Sequence, residues 1–290
     1  MAKALPPIAD FLGQTIPGMP EYIVTRHVGS GLRAHVFVAH SENLSRDVAC
    51  KVIPAWNLIG ADKSPPTWKA EITKANLVPG SRVVKVFHSG SWSTPNCESI
   101  YLLCDFVNGV TLRDHFRNAS IDIGFLETLL FEFLDFLREL DQAKLPHGDL
   151  HAGNVLIEDR QDALSGYPFA IRITDFGVAP ATSTPLLDDY EQLAIILRDA
   201  LALIDYATLQ PEDRVVFNFL RHDFLGKRLL ERDSSFDPRC RNPRALADSL
   251  RQARSTALSQ IVATMKRSLS SPFDYLSCEQ LGEYHALLKE

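Results

Sequence analysis

The run His147-Gly148-Asp149-Leu150-His151-Ala152-Gly153-Asn154-Val155-Leu156, followed 26 residues after Asp149 by Asp175-Phe176-Gly177, constrains this chain more than any other feature. Over 147–176 it reads as loop, short strand, turn, short strand. Its polar residues are a chemically coherent set. An Asp such as Asp149 can orient an attacking hydroxyl and accept its proton. The amide oxygen of Asn154 and the carboxylate of Asp175 are hard donors of the kind Mg²⁺ prefers.

The texture on either side of this run differs. Strand patterns fall at Tyr22–His27, Val36–His40, Asp47–Pro54, 83–90 and 99–106. One helix interrupts them, from about Thr67 to Val78, behind Pro65-Pro66. After Gly109 the signal turns helical. Thr111 with Asp114 forms a capping box. Phe125, Leu129, Leu130, Phe133, Leu137 and Leu140 recur at helical spacing over 124–143. From Leu187 onward nearly everything reads as helix. The expectation is an α+β chain with a strand-rich first part and a helical second part, behind a Pro- and Gly-rich lead-in over 1–21.

Composition narrows the class. A hydrophobic fraction of 46% excludes a disordered chain. A formal net charge of −6 argues against bulk binding to nucleic acid, although residues 221–267 hold 11 Lys/Arg against 5 Asp/Glu, read as a solvated helix face. No uncharged apolar stretch is long enough to span a bilayer, and the start MAKALPPIADFLGQ lacks a secretory pattern. Five Cys without a CxxC pair point to a reducing compartment, so the expectation is a cytoplasmic protein without membrane attachment.

Two upstream features match the same chemistry. Gly29-Ser30-Gly31 lies between two strands, where missing side chains would let a polyphosphate approach the backbone. A plain hairpin turn has the same pattern, and Ala34 occupies the place of a third glycine. Lys51 stands in the apolar strand VACKVI. It either points to solvent or holds phosphate against a carboxylate, for which Glu71 on the next helix is the candidate.

Taken in order, GxG, VACK, a helix Glu, HGDLHxGN and DFG resemble the protein-kinase fold over about residues 22–255. The resemblance implies a bilobal α+β fold. A β-rich N-lobe with its helix C would span 22–106, a mainly helical C-lobe 107–255, and a tail or linker 256–290. It implies ATP and Mg²⁺ as cofactors. Gly29 and Gly31 would cover the phosphates, and Lys51, partnered by Glu71, would hold them. Asp149 would be the catalytic aspartate, with Asn154 and Asp175 on the metal. Backbone groups of Asp105 and Val107 would face the adenine, and Val36, Ala49 and Leu156 would sandwich it. Cys104 would sit at the gatekeeper position, Asp189 would brace the catalytic loop, and Arg241 would close the C-lobe.

The chain departs from the family pattern in places. It reads HGD rather than HRD, which removes the usual receiver of an activation-loop phosphate. His151 stands where serine/threonine kinases carry lysine, and HGDLHxGN is also the form of aminoglycoside and choline phosphotransferases. Only 12 steps separate Gly177 from Asp189, with no APE motif between them. Thr182, Ser183 and Thr184 in that segment are candidate autophosphorylation sites or plain turn residues. The first reading is a serine/threonine protein kinase acting on a protein substrate. The alternatives are a small-molecule kinase of the aminoglycoside-phosphotransferase type and a nucleotide-binding regulatory pseudokinase module. The helix-like GEYHALLKE ends without a C-cap, which raises the expectation of a fused or associated effector domain.

Overall fold

The computed structural model describes residues 4–58, 67–159, 169–177 and 189–218, with positions 220, 221, 252 and 255 beyond them. The readings of Pro65-Pro66, Thr182, Ser183, Thr184 and Arg241, of most of the basic stretch 221–267, and of the tail beyond residue 255 lie outside the described residues.

Met1–Ile204 form one compact unit. It begins with a six-stranded antiparallel sheet ordered β1-β2-β3-β4-β6-β5. Its strands are β1 (Thr15–Ile16), β2 (Met19–Ser30), β3 (His35–Ser41), β4 (Arg46–Pro54), β5 (Val86–Ser93) and β6 (Glu98–Asp105), with α1 (Thr67–Leu77) inserted before β5. Alternation along β4 sorts the two faces. Val48, Cys50 and Val52 are fully buried, while Ala49 and Lys51 between them are half-buried. The first face packs with Tyr22, Phe37, Tyr101 and Leu103 into one core. On the other face Ile53 and Leu102 pack with Trp68 and Ile72 of α1.

From the segment read as a lead-in, 1–21, the described residues contribute to this core. Phe11 (0% exposed) and Ile16 (1%) are buried within it, and the Phe11 ring meets Trp92 edge-on at 5.3 Å. Its Pro and Gly residues fit turns around a short 3-10 turn at Ile8–Asp10 and β1. Phe11→Leu is therefore expected to lower the unfolding free energy by about 1 kcal/mol. A denaturant titration would check this, and an unchanged midpoint would detach the segment from the core.

The strand expected at 83–90 runs instead over 86–93. Val83 and Val84 are buried, but they serve a different neighbour. Val83 bridges Ile173 in parallel, and the Val84 N–H donates to the Ile173 carbonyl at 3.0 Å.

The second layer consists of β7 (Val110–Thr111), α2 (Leu112–Asn118), α3 (Ile123–Ala143), β8 (Val155–Asp159), β9 (Phe169–Ile173) and α4 (Asp189–Leu201). Thr111 caps α2 as expected, accepting from the Asp114 N–H at 3.0 Å. Asp122 caps α3 through the Phe125 N–H at 2.7 Å. Phe133, Leu137 and Leu140 of α3 are buried, and Phe125 is half-buried. The same helix carries a buried Glu132, because Arg82 donates to Glu132, Asp135 and Glu139 at 3.1, 3.0 and 2.8 Å. β7-β8-β9 form a small antiparallel sheet that carries the polar run at its ends.

The second unit is Asp205–Glu290. Its described residues include a 3-10 turn at Tyr206–Thr208 and α5 (Pro211–Asn218), where Tyr206 packs on Phe217 at 5.3 Å. No helix among the described residues is long and apolar enough to cross a membrane.

Candidate active site

Register on the sheet gathers the residues expected to meet a nucleotide. Val36 pairs with Lys51, and Ala49 pairs with Cys104, so these four share the half-buried face. Leu156 on β8 is likewise half-buried. Asp105 ends β6 with its side chain turned out to Arg46 at 2.6 Å, and Val107 follows in the link to β7. Burial pushes the Cys104 thiol up to about 12, which disfavours its thiolate. Cys50 is fully buried and also pushed up by burial.

Gly29 and Gly31 lie at the β2–β3 turn. A Cβ at either would meet nothing within 4 Å, and neither has a positive φ. Neither packing nor backbone conformation requires glycine there, so what the missing side chains leave is room above the backbone. A polar chain steadies the turn. His27 Nε2 lies 3.0 Å from Ser30 Oγ, which lies 2.7 Å from His35 Nδ1, while His35 Nε2 lies 2.9 Å from the Pro6 carbonyl. A carbonyl only accepts, so His35 carries its proton on Nε2 and, when neutral, accepts at Nδ1 from Ser30.

Lys51 answers the question left open by the sequence. Its Nζ donates to Glu71 Oε1 at 3.0 Å and to Asp175 Oδ1 at 2.6 Å. Burial alone would lower the ammonium, but Asp175 and Glu71 outweigh it and hold it above its ordinary value. Burial lifts the Glu71 carboxyl, and Lys51 offsets that only in part. For Asp175 the balance reverses: burial would raise it, and Lys51 holds it below the usual carboxylate range. Asp175 takes a left-handed backbone conformation, φ 59°, uncommon for a residue with a side chain. The cluster of one ammonium and two carboxylates carries net −1, which suits a divalent cation.

Asn154, at the foot of β8, is tied to the same place. Its Nδ2 donates to the Asp149 carbonyl at 2.9 Å, which leaves the amide oxygen as the available donor atom. The Thr174 N–H donates to the Asn154 carbonyl at 2.9 Å, so the residue before Asp175 is fixed to Asn154. The Asp149 carboxylate is 58% exposed, with His151 Nε2 4.0 Å from Oδ2. His151 Nδ1 accepts the Gly153 N–H at 3.0 Å, so Nε2 bears the ring proton facing Asp149.

The loop bearing Asp149 is braced by α4, and the segment after Asp175 by α1. Asp189 accepts the His147 and Gly148 N–H groups at 2.8 and 2.9 Å, the bracing part expected of it. Gln192, one turn further along α4, accepts the Leu150 N–H at 2.6 Å. Lys74, one turn beyond Glu71 on α1, donates to the Gly177 carbonyl at 2.7 Å. The sequence reading singled out neither Gln192 nor Lys74. Their helical spacing from Asp189 and Glu71 was the available signal.

His147 is fully buried. Its Nε2 donates to the Thr174 carbonyl at 3.0 Å, and its Nδ1 accepts the Asp149 N–H at 3.2 Å. Burial drives the imidazole down to about 4, against a partial opposing pull from that carbonyl and nearby carboxylates. An unfolded histidine near 6.5 takes up a proton that the folded one refuses until about pH 4, so stability is lost as pH falls across that window. Wild type is expected to lose about 1 kcal/mol per pH unit more than His147→Phe between pH 6 and 4.5, read by urea unfolding. Equal slopes would show that His147 is not held neutral.

The fold and this constellation define a protein of the kinase type. Residues 22–191 match the protein kinase domain family, and the chain belongs to it. A probable serine/threonine-protein kinase of Bifidobacterium longum, pknA2, is 31% identical over 170 residues, which are 57% of this chain and 21% of that protein. PrkC, a serine/threonine-protein kinase of Bacillus subtilis, is 22% identical over 174 residues, covering 60% of this chain and 24% of that one. The match thus spans less than a quarter of either relative. Among solved structures, the Mycobacterium tuberculosis PknI kinase domain, as a double mutant, is 20% identical with a TM-score of 0.54, covering 81% of this chain and 96% of that one.

Proposed function

We propose that the chain is a serine/threonine protein kinase that transfers the γ-phosphoryl group of ATP to a protein hydroxyl. The observation that carries the reading is the Lys51 ammonium held between Glu71 and Asp175, at 3.0 and 2.6 Å, on the sheet face shared with Val36 and Ala49. Lys51 holds the α and β phosphates, and the open backbone at Gly29 and Gly31 lies over them. Val36, Ala49 and Leu156 enclose the adenine, against backbone groups of Asp105 and Val107. Asp149 accepts the proton of the acceptor hydroxyl, whose oxygen bonds to the γ-phosphorus as the bond to the ADP oxygen breaks. Asn154 and Asp175 would hold Mg²⁺, which supplies charge neutralisation on the phosphates.

In this reading ATP would bind between a β-rich lobe assigned to 22–106 and a mainly helical lobe assigned to 107–255. Residues 256–290 are read as a tail or a link to an effector domain, a reading supported by the small fraction of each relative that the match covers. The cytoplasm supplies ATP and keeps thiols such as Cys50, Cys97 and Cys104 reduced; all three are free.

The test is incubation with γ-labelled ATP and Mg²⁺ alongside a generic protein substrate. Label on serine or threonine is expected. Label only on small-molecule hydroxyls would make the chain a small-molecule kinase, and tight ATP binding without transfer would make it a regulatory module.

A further inference from the structure

Beside Asp149 the surface opens into a cavity of about 580 Å³ between α2, the loop at 149–152 and α4. Its lining includes Arg113, Arg117 and His151 together with the apolar Ile195, Ile196 and Leu203. We propose that this cavity receives the acceptor peptide and selects one with an acidic residue near the phosphorylated hydroxyl. The proposal rests on the kinase reading above and deepens it by naming the substrate class.

The charge arrangement carries the argument. Arg113 is seated against the loop that bears Asp149. Its backbone N–H donates to the Ala152 carbonyl at 2.9 Å, and a Cβ at Gly153 would fall 2.7 Å from its Nη2. The guanidinium thus lies over Gly153, in the loop that bears Asp149. That guanidinium has no ion pair among the described residues. Arg117 reaches Asp114 at 3.7 Å, with both side chains more than half exposed, a weak pairing. The Asp199 carboxylate on the lining pairs with Arg198 at 2.8 and 3.0 Å, an equally solvated pairing that offsets its charge only in part.

A planar guanidinium binds carboxylate through two parallel N–H donors. Asp149 repels an anion at the acceptor position itself, so the acidic residue belongs on the Arg113 side. Leu203, 49% exposed, offers apolar surface to a neighbouring side chain of the same peptide.

The experiment compares kcat/KM for serine peptides that differ only in an acidic, alanine or basic flank, using the full chain with Mg-ATP. Wild type is expected to favour the acidic over the basic flank by about tenfold or more, the size of one charge-assisted contact. Arg113→Ala should bring the ratio near one, Arg113→Glu should invert it, and Arg113→Lys, which keeps the charge but loses the two parallel donors, should retain only part of it. The ratio reports selection independently of any general loss of activity, and the lysine and glutamate variants decide the matter if the alanine variant misfolds. A wild type that phosphorylates the peptides without preference, or prefers the basic flank, overturns the pocket assignment and leaves the kinase reading standing. So does a preference that Arg113→Glu leaves unchanged. ATP binding with no transfer to any peptide overturns both.

Discussion

Asp149→Asn is expected to lower phosphoryl transfer by about 10³-fold while ATP still binds. The two side chains are nearly the same size, and the Asp149 carboxylate is 58% exposed, so the change opens no cavity. The groups that fix the loop stay in place. Asp189 and Gln192 bond to backbone N–H groups of His147, Gly148 and Leu150, and Asn154 bonds to the Asp149 carbonyl rather than to its side chain. What the amide loses is the ability to accept a proton. His151 Nε2, 4.0 Å away, cannot take over, because it already carries the ring proton. Single-turnover transfer measured beside nucleotide affinity would separate the two effects. Transfer within about tenfold of wild type would remove Asp149 from the role of base. Parallel loss of nucleotide binding would show that its charge serves the ATP site instead.

The sequence was most informative where one side chain sufficed for a reading. Lys51 in the apolar strand VACKVI raised the question of a carboxylate partner with Glu71 as the candidate, and Asp189 was read as a brace; both contacts are present. The HGD departure was visible, but its structural reason was not. Gly148 sits at φ 81°, where a side chain is strained, and a Cβ there would lie 3.4 Å from the Gly177 carbonyl oxygen. Gly177 in turn has no room for a Cβ, which would come within 2.8 Å of Gly148 and Asp149. The two glycines let the catalytic loop and the Asp175 segment touch, a contact between residues 29 positions apart that no local pattern encodes. The same holds for Lys74 on the Gly177 carbonyl, 103 positions away, and for Phe11 in the sheet core. The β5 boundary slipped for a related reason. Val83 and Val84 read as strand because they are buried, but their partner is Ile173.

Lys51→Met is expected to lower kcat/KM for ATP by about 10²-fold and also to destabilise the fold. The two effects share a cause. Without the ammonium, Glu71 and Asp175 face each other across the vacated position, each deprived of its cation. Removing one partner of a buried pair costs about 3–5 kcal/mol. Asp175 is 44% exposed and partly solvated, so about 2 kcal/mol is the better expectation here. The carboxyls of the variant would respond by holding a proton more tightly than in the unfolded chain. Its stability deficit should therefore be small below pH 4 and grow as pH rises through the carboxylate range. The double variant Lys51→Met with Glu71→Gln removes the facing charge. It should recover most of the stability and none of the activity, because the neutral pair still cannot hold phosphate. Unfolding curves and ATP turnover for the single and double variants form one cycle. Recovery of both quantities would mean that Lys51 only neutralises carboxylates, and recovery of neither would mean that the ion cluster is not what links helix α1 to the Asp175 segment.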